Sequence, residues 1–300
     1  MDFLDNLFEK RQISDSSKAL YIRNLTKLND GEHVKDLKFL NKPTEIMKKI
    51  EHLKPTTQRS YIIAICSILK VFDKEDKLYN EYFNILSTFN SQLKVNTTKS
   101  EAQEKAWIEP DKIDTIYNNL KSKVSKKISN KKEYDTLLDY VLLSLYYLQA
   151  PRRNNDYALM KISSDKSDKK FNYLDMKNKQ FIFNNYKTQK TYSEMKVDIS
   201  DELYKVLKLY LSKHPQKNQL KNKNYSINLL VDASGEPYNK SNMITKLLNK
   251  IFEAKVGVSM LRNIYLTSKY GKVMKELDND VKSMATSKDV ALDHYIKKDK

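Results

Sequence analysis

The chain has 300 residues, and its 55 Lys and Arg against 38 Asp and Glu give a formal charge of +17. A hydrophobic content of 40% is enough to bury a core, which excludes wholesale disorder, and the length allows one large domain or two of ordinary size. The charge speaks against an enzyme for a small neutral substrate and points to nucleic acid, since each cation that neutralises a phosphate releases condensed counterion; a membrane surface is the weaker alternative.

The N-terminus, from Met1 to Asn6, lacks the basic start and apolar centre of a signal peptide, and no run of about 18 apolar residues offers a membrane span. The expectation is a soluble intracellular protein. Phe3, Leu4, Leu7 and Phe8 have helical spacing over 3–11. Ser14 to Ser17 supply N-cap residues for a helix with Leu20, Tyr21, Leu25 and Leu28 on one face. A further helix begins after Pro55 and carries Tyr61, Ile62, Ile65, Ile68, Leu69 and Phe72 as its apolar stripe. Residues 1–95 therefore read as a small helical domain and the polar stretch 96–105, without apolar period, as a linker. Residues 106–300, starting just before the only tryptophan, Trp107, read as a second domain.

In that second domain helices are expected at 110–125 and 132–149, the latter ended by Pro151. Between 172 and 199 the period changes to two, and Phe181 to Phe183 and Met195 to Ile199 read as antiparallel strands around a polar turn containing Lys187. Ser200, Asp201 and Glu202 cap a helix to about 213, and further helices are expected near 239–253, 257–270 and 272–297. The fold class is mainly α with a small antiparallel β-sheet.

Several chemistries drop out. The single cysteine, Cys66, sits in an apolar run and reads as a small buried thiol. His33, His52, His214 and His294 show no close pairing of the sort an imidazole metal site needs. Four glycines, at 31, 235, 257 and 271, can write neither a dinucleotide-binding fingerprint nor a P-loop. Only six of the basic residues are arginines: Arg11, Arg23, Arg59, Arg152, Arg153 and Arg262. In so lysine-rich a chain each arginine is a candidate for a place where lysine will not serve, because guanidinium forks onto phosphate and stays charged when buried.

Three segments carry a resemblance. They are Ala150-Pro151-Arg152-Arg153-Asn154-Asn155-Asp156-Tyr157, then Tyr186-Lys187-Thr188, then Val258-Ser259-Met260-Leu261-Arg262-Asn263 followed by Met284-Ala285-Thr286-Ser287 and Tyr295. Together they resemble the tyrosine recombinase (phage integrase) family, related to type IB topoisomerases. Arg153 with Asp156 three residues on is similar to the family's Gly-x-Arg-x-x-Glu box; the adjacent Arg152 is the alternative for that arginine, without an acidic residue at the same spacing. Lys187 matches its hairpin lysine, and Ser259 to Arg262 its His-x-x-Arg box with serine for histidine. Met284-Ala285-Thr286 matches its Leu-Gly-His segment, with threonine for histidine, and Tyr295, nine residues later, its nucleophile.

The resemblance implies a helical core DNA-binding domain over 1–95 and an α+β catalytic domain over 106–300. It implies that Tyr295 attacks a DNA phosphodiester to give a 3′-phosphotyrosyl bond, with Arg153 and Arg262 clamping the phosphate and Lys187 protonating the 5′ oxygen. Asp156 would hold Arg153 in place from behind. Ser259 and Thr286 can donate hydrogen bonds but cannot act as bases the way imidazole does. The implied partners are double-stranded DNA and three further copies in a tetramer, with no metal, nucleotide or other cofactor. The implied role is integration or excision of a viral or mobile element. A topoisomerase-like relaxing enzyme and a catalytically impaired DNA-binding relative stand as alternatives. Five residues follow Tyr295, whereas many relatives carry a C-terminal helix that docks on a neighbour; the segment around Phe3, Leu4, Leu7 and Phe8 is the expected substitute for that exchange.

Overall fold

A computed structural model describes residues 3–11, 13–72, 77–93, 99–125 and 127–297. The chain divides into two compact units, Met1–Lys99 and Ser100–Lys300.

The first unit is helical: α1 (Phe3–Glu9), α2 (Asp15–Leu28), α3 (Pro43–Ile50), α4 (Pro55–Phe72) and α5 (Lys77–Gln92). Ser14 caps α2 by accepting from the Ser17 amide. The α4 helix is central because Ile62, Ala64, Ile65, Ile68 and Leu69 leave no polar face over two turns, and α1, α2 and α5 pack around it. The Phe72 side chain, expected in that stripe, lies outside the described residues. Cys66 is buried there, and burial pushes its thiol up to about 11, so it is an inert packing group. Arg11 donates from Nη1 to the Ser67 carbonyl and hydroxyl, tying the end of the first helix to α4.

The segment expected to serve exchange between copies packs within its own unit here. Leu4 and Phe8 are buried in this unit's own core, with Phe3 and Leu7 packed against it, so the apolar face of α1 is covered within the chain itself. Burying each of the two large side chains stabilises the unit by roughly 1.5–3 kcal/mol.

The second unit comprises α6 (Glu101–Ala106), α7 (Pro110–Lys123), α8 (Lys131–Tyr147), α9 (Asn154–Tyr157), β1 (Lys161–Ser163), β2 (Tyr173–Asp175), β3 (Gln180–Phe183), α10 (Gln189–Tyr192), β4 (Met195–Asp198), α11 (Asp201–Lys213), β5 (Ser226–Asn228), α12 (Ser241–Phe252), α13 (Val258–Ser283) and α14 (Lys288–Val290). A π-wound turn, Ala291–Tyr295, follows. Part of the expected linker is ordered. Ser100 and Gln103 form a reciprocal capping box that starts α6, a local signal strong enough to make a helix without an apolar stripe; residues 94–98 lie outside the described residues.

The α8 helix is the axis of this unit. Tyr134 and the run from Leu137 to Tyr146 are buried on every side, under α7, α11 and α12. The five strands lie in the order β4-β3-β2-β1-β5. The sheet is mixed, not antiparallel as expected, because β1 meets β2 in parallel at Lys161 and Tyr173 while the other three pairings are antiparallel. His214, one residue past α11, joins that helix to the sheet edge: its Nδ1 accepts from the Gln216 amide and its Nε2 donates to the Asn228 carbonyl, both at 3.1 Å. Burial holds the imidazole neutral, with its pKa lowered to about 4.

The two expected helices on either side of Gly271 are one helix of 26 residues. A lone glycine in a helix interior costs only about 1 kcal/mol, which its helix-forming neighbours absorb. The stop comes instead at Ala285, which takes a left-handed φ of 55°. The Thr286 amide then bonds the Val281 carbonyl and the Ala285 amide that of Lys282, the two bonds of a Schellman ending.

Candidate functional site

Pro151 cannot continue α8, and Arg152 and Arg153 follow it outside any helix, Arg153 with an extended backbone, before α9 begins. This short helix is fixed from two sides. The Asn154 carboxamide accepts from the Tyr146 hydroxyl of α8 at 2.7 Å and donates to the Ser241 carbonyl and Thr245 hydroxyl of α12. Arg153 therefore stands on a rigid support. Its side chain is half-buried and has no hydrogen bond or ion pair among the described residues.

Asp156 is paired differently from the spacing-based expectation. Its carboxylate, 2% exposed, takes a hydrogen bond on Oδ2 from Nε of Arg152 at 2.9 Å, four residues back, not from the Arg153 side chain three back. The reason is directional: Arg152 turns inward over the sheet, with Cζ 3.8 Å from the Phe183 ring centre, whereas Arg153 caps the helix through its backbone. Burial lifts the Asp156 carboxyl above its ordinary range, opposed by the Arg152 guanidinium and, more weakly, by Arg153.

Lys187 lies in the connection between β3 and β4, which contains the short helix α10. It is exposed and unpaired among the described residues, next to a buried Tyr186 whose hydroxyl donates to the Ser193 carbonyl at 2.7 Å. The start of this connection is bonded to α9 through Asn172. That side chain accepts from the amides of Asn184 and Asn185 and donates to the carbonyls of Asp156 and Asn185. The surroundings of Arg153 and Lys187 are thus joined.

Ser259 and Arg262 lie one turn apart on α13 and so share a face. Ser259 is exposed and Arg262 half-buried without a side-chain partner among the described residues, while Leu261 and Ile264 enter the core. Leu261, Ile264, Tyr146 and Tyr147 line one groove, so the α13 root meets the helix that holds Asn154. Arg153 and Arg262 are linked through that layer.

No hydrogen bond or ion pair among the described residues joins Thr286 or Tyr295 to the others. Residues 266–276 of α13 are exposed around the whole helix except at Gly271, so this helix leaves the core as an arm. Near its end Val281 and Ala291 are buried and Lys288 pairs with Asp278 at 2.6 Å, fastening the last segment to the arm. Tyr295 closes the π turn and is 59% exposed. Thr286 is half-buried behind Ala285.

Sequence reasoning missed the Arg152–Asp156 pairing and the parts played by Asn172 and Tyr186. Only Arg152 carried a readable signal, its i,i+4 relation to Asp156. Among the described residues no group of His, Cys, Asp and Glu could hold a metal ion, and no helix is long and apolar enough to cross a membrane. No protein-family model matches the chain, and no curated protein matches it.

Proposed function

We propose that this protein is a site-specific DNA recombinase that cuts and rejoins strands through Tyr295. The observation that carries this reading is how the arginines are used. Arg11, Arg59 and Arg152 spend their guanidinium groups on other side chains or carbonyls, whereas Arg153 and Arg262 sit half-buried in one unit without any such partner. Holding an unpaired guanidinium partly out of water is costly unless an anion takes the place of the lost hydration, and a phosphodiester fits two such forks.

In the reaction Tyr295 Oη forms a bond to phosphorus and the bond to the 5′ oxygen breaks. The phenol proton passes to water, and Lys187 Nζ protonates the leaving oxygen. Arg153 and Arg262, with hydrogen bonds from Ser259 and Thr286, neutralise charge growing on the non-bridging oxygens. Reversal with a different 5′ hydroxyl joins new partners, and the phosphotyrosyl bond conserves the energy for it. The product is an integrated or excised viral or mobile element, assembled on DNA by four copies.

A nicked duplex carrying the sequences that flank the coding region tests this. The expected result is a denaturant-resistant protein–DNA adduct that Tyr295→Phe abolishes. Absence of an adduct, with retained binding, favours the second reading: a DNA-binding relative without catalysis, to which the hydroxyls at 259 and 286 lend support. An adduct with relaxation of any supercoiled circle would identify a topoisomerase instead.

A further inference from the structure

We propose that Arg152 is a positioning residue that sets Lys187 against Arg153; this rests on the function proposed above. One planar cation touches three places that must agree. Nε bonds Asp156 at the end of the Arg153 helix, Nη1 lies 3.2 Å from Met195 Sδ at the start of β4, and Cζ stands 3.8 Å over Phe183 at the end of β3. The Tyr186 ring, adjacent to Lys187, lies 5.2 Å from the same carbon. Arg152 thus grips both ends of the connection that bears Lys187 and fastens them to the element that bears Arg153.

Lysine cannot replace it. Stacking on Phe183 while bonding two acceptors edge-on needs a flat, forked cation, and an ammonium is a compact point charge that keeps its water. Lys187 has no partner of its own among the described residues, so its place is set by Tyr186 beside it. An error of about 1 Å in placing a reacting group costs on the order of 100-fold in rate.

The test separates a misplaced proton donor from general damage. A bridging sulfur in place of the 5′ oxygen, at the phosphate mapped by the wild-type adduct, gives a leaving thiolate; with a thiol pKa of about 8.5 it departs without a proton. Arg152→Lys is expected to cut ordinary DNA about 100-fold more slowly than wild type, and the sulfur substrate at close to the wild-type rate, as for Lys187→Ala. Arg153→Ala, by contrast, is expected to stay slow on both. Phe183→Leu keeps an apolar core residue but removes the stacking face, and a smaller defect, rescued in the same way, is expected; it decides the matter if Arg152→Lys does not fold. Equal slowing of both variants on both substrates, or no slowing at all, overturns the positioning role while leaving the recombinase reading intact. No adduct from the wild-type protein overturns both.

Discussion

Nδ2 of Asn172 lies 2.8 Å from the carbonyl oxygen of Asp156, and the Oδ1 of the same side chain accepts from the amides of Asn184 and Asn185. A single buried carboxamide thereby splices the α9 helix to the connection that carries Lys187. Asn172→Asp turns the donating nitrogen into a carboxylate oxygen facing two carbonyls. We expect a loss of about 2–3 kcal/mol, since buried acceptors left without donors cost their full desolvation. In a unit of this size that lowers Tm by roughly 5–10 °C, measurable by calorimetry.

The arginines are expected to separate cleanly by their effects. Arg153→Ala and Arg262→Ala should leave stability within about 0.5 kcal/mol, because neither side chain makes a hydrogen bond or ion pair among the described residues and the pull of Arg153 on Asp156 is weaker than that of Arg152. Each should reduce adduct formation by about 100- to 1,000-fold. Arg11→Ala should do the reverse, costing roughly 1–2 kcal/mol through its two bonds to Ser67 and leaving strand cleavage unchanged. Denaturant titration and single-turnover cleavage check the two arms.

Acid should weaken the second unit through His214. Its pKa is lowered from 6.5 to about 4 in the folded protein, so the unfolded chain takes up the proton first. The stabilisation is complete above about pH 6.5 and falls as pH drops toward 4, to a total loss of about 3 kcal/mol. Protonation of Nδ1 breaks the bond from the Gln216 amide. His214→Gln should flatten this part of the stability–pH curve, as read from urea midpoints at pH 7.5, 6 and 5.

Ala285 is a site for improvement. At φ 55° a β-carbon is strained by about 1–2 kcal/mol, part of which Ala285→Gly recovers after the extra chain entropy of glycine is subtracted. We expect a gain of about 0.5–1 kcal/mol confined to the end of the arm, seen as slower amide exchange at residues 284–287.

Much of the helical frame could be read from residues alone. The α2, α4, α7, α8, α11 and α12 helices announce themselves by apolar period, by caps such as Ser14 and Ser200, or by a breaker such as Pro151. The α5 helix did not, because its asparagines, serines and threonine blur the stripe around Tyr82 and Phe89. Strands β1, β2 and β5 have three residues each, too few for a period of two to show. In the candidate site the motif spacings singled out Arg153, Lys187 and Arg262, yet they did not show that Asp156 takes its side-chain hydrogen bond from Arg152. Which of two adjacent arginines turns inward depends on Phe183 and Met195, more than 30 positions further on, and no local pattern records that.

The exposed stretch of α13 is also a lever. From Leu266 to Ser283 it runs about 27 Å, so a tilt of roughly 10° at its root carries the far end through about 5 Å. Leu266, Tyr270, Val273 and Met274 lie bare along it. On the proposed function the phosphate grip and the attacking phenol are geared separately: one is set by the core, the other by whatever bears on this shaft. An isolated copy would then hold DNA in a safe position, with the chemistry engaged only when something seats the lever.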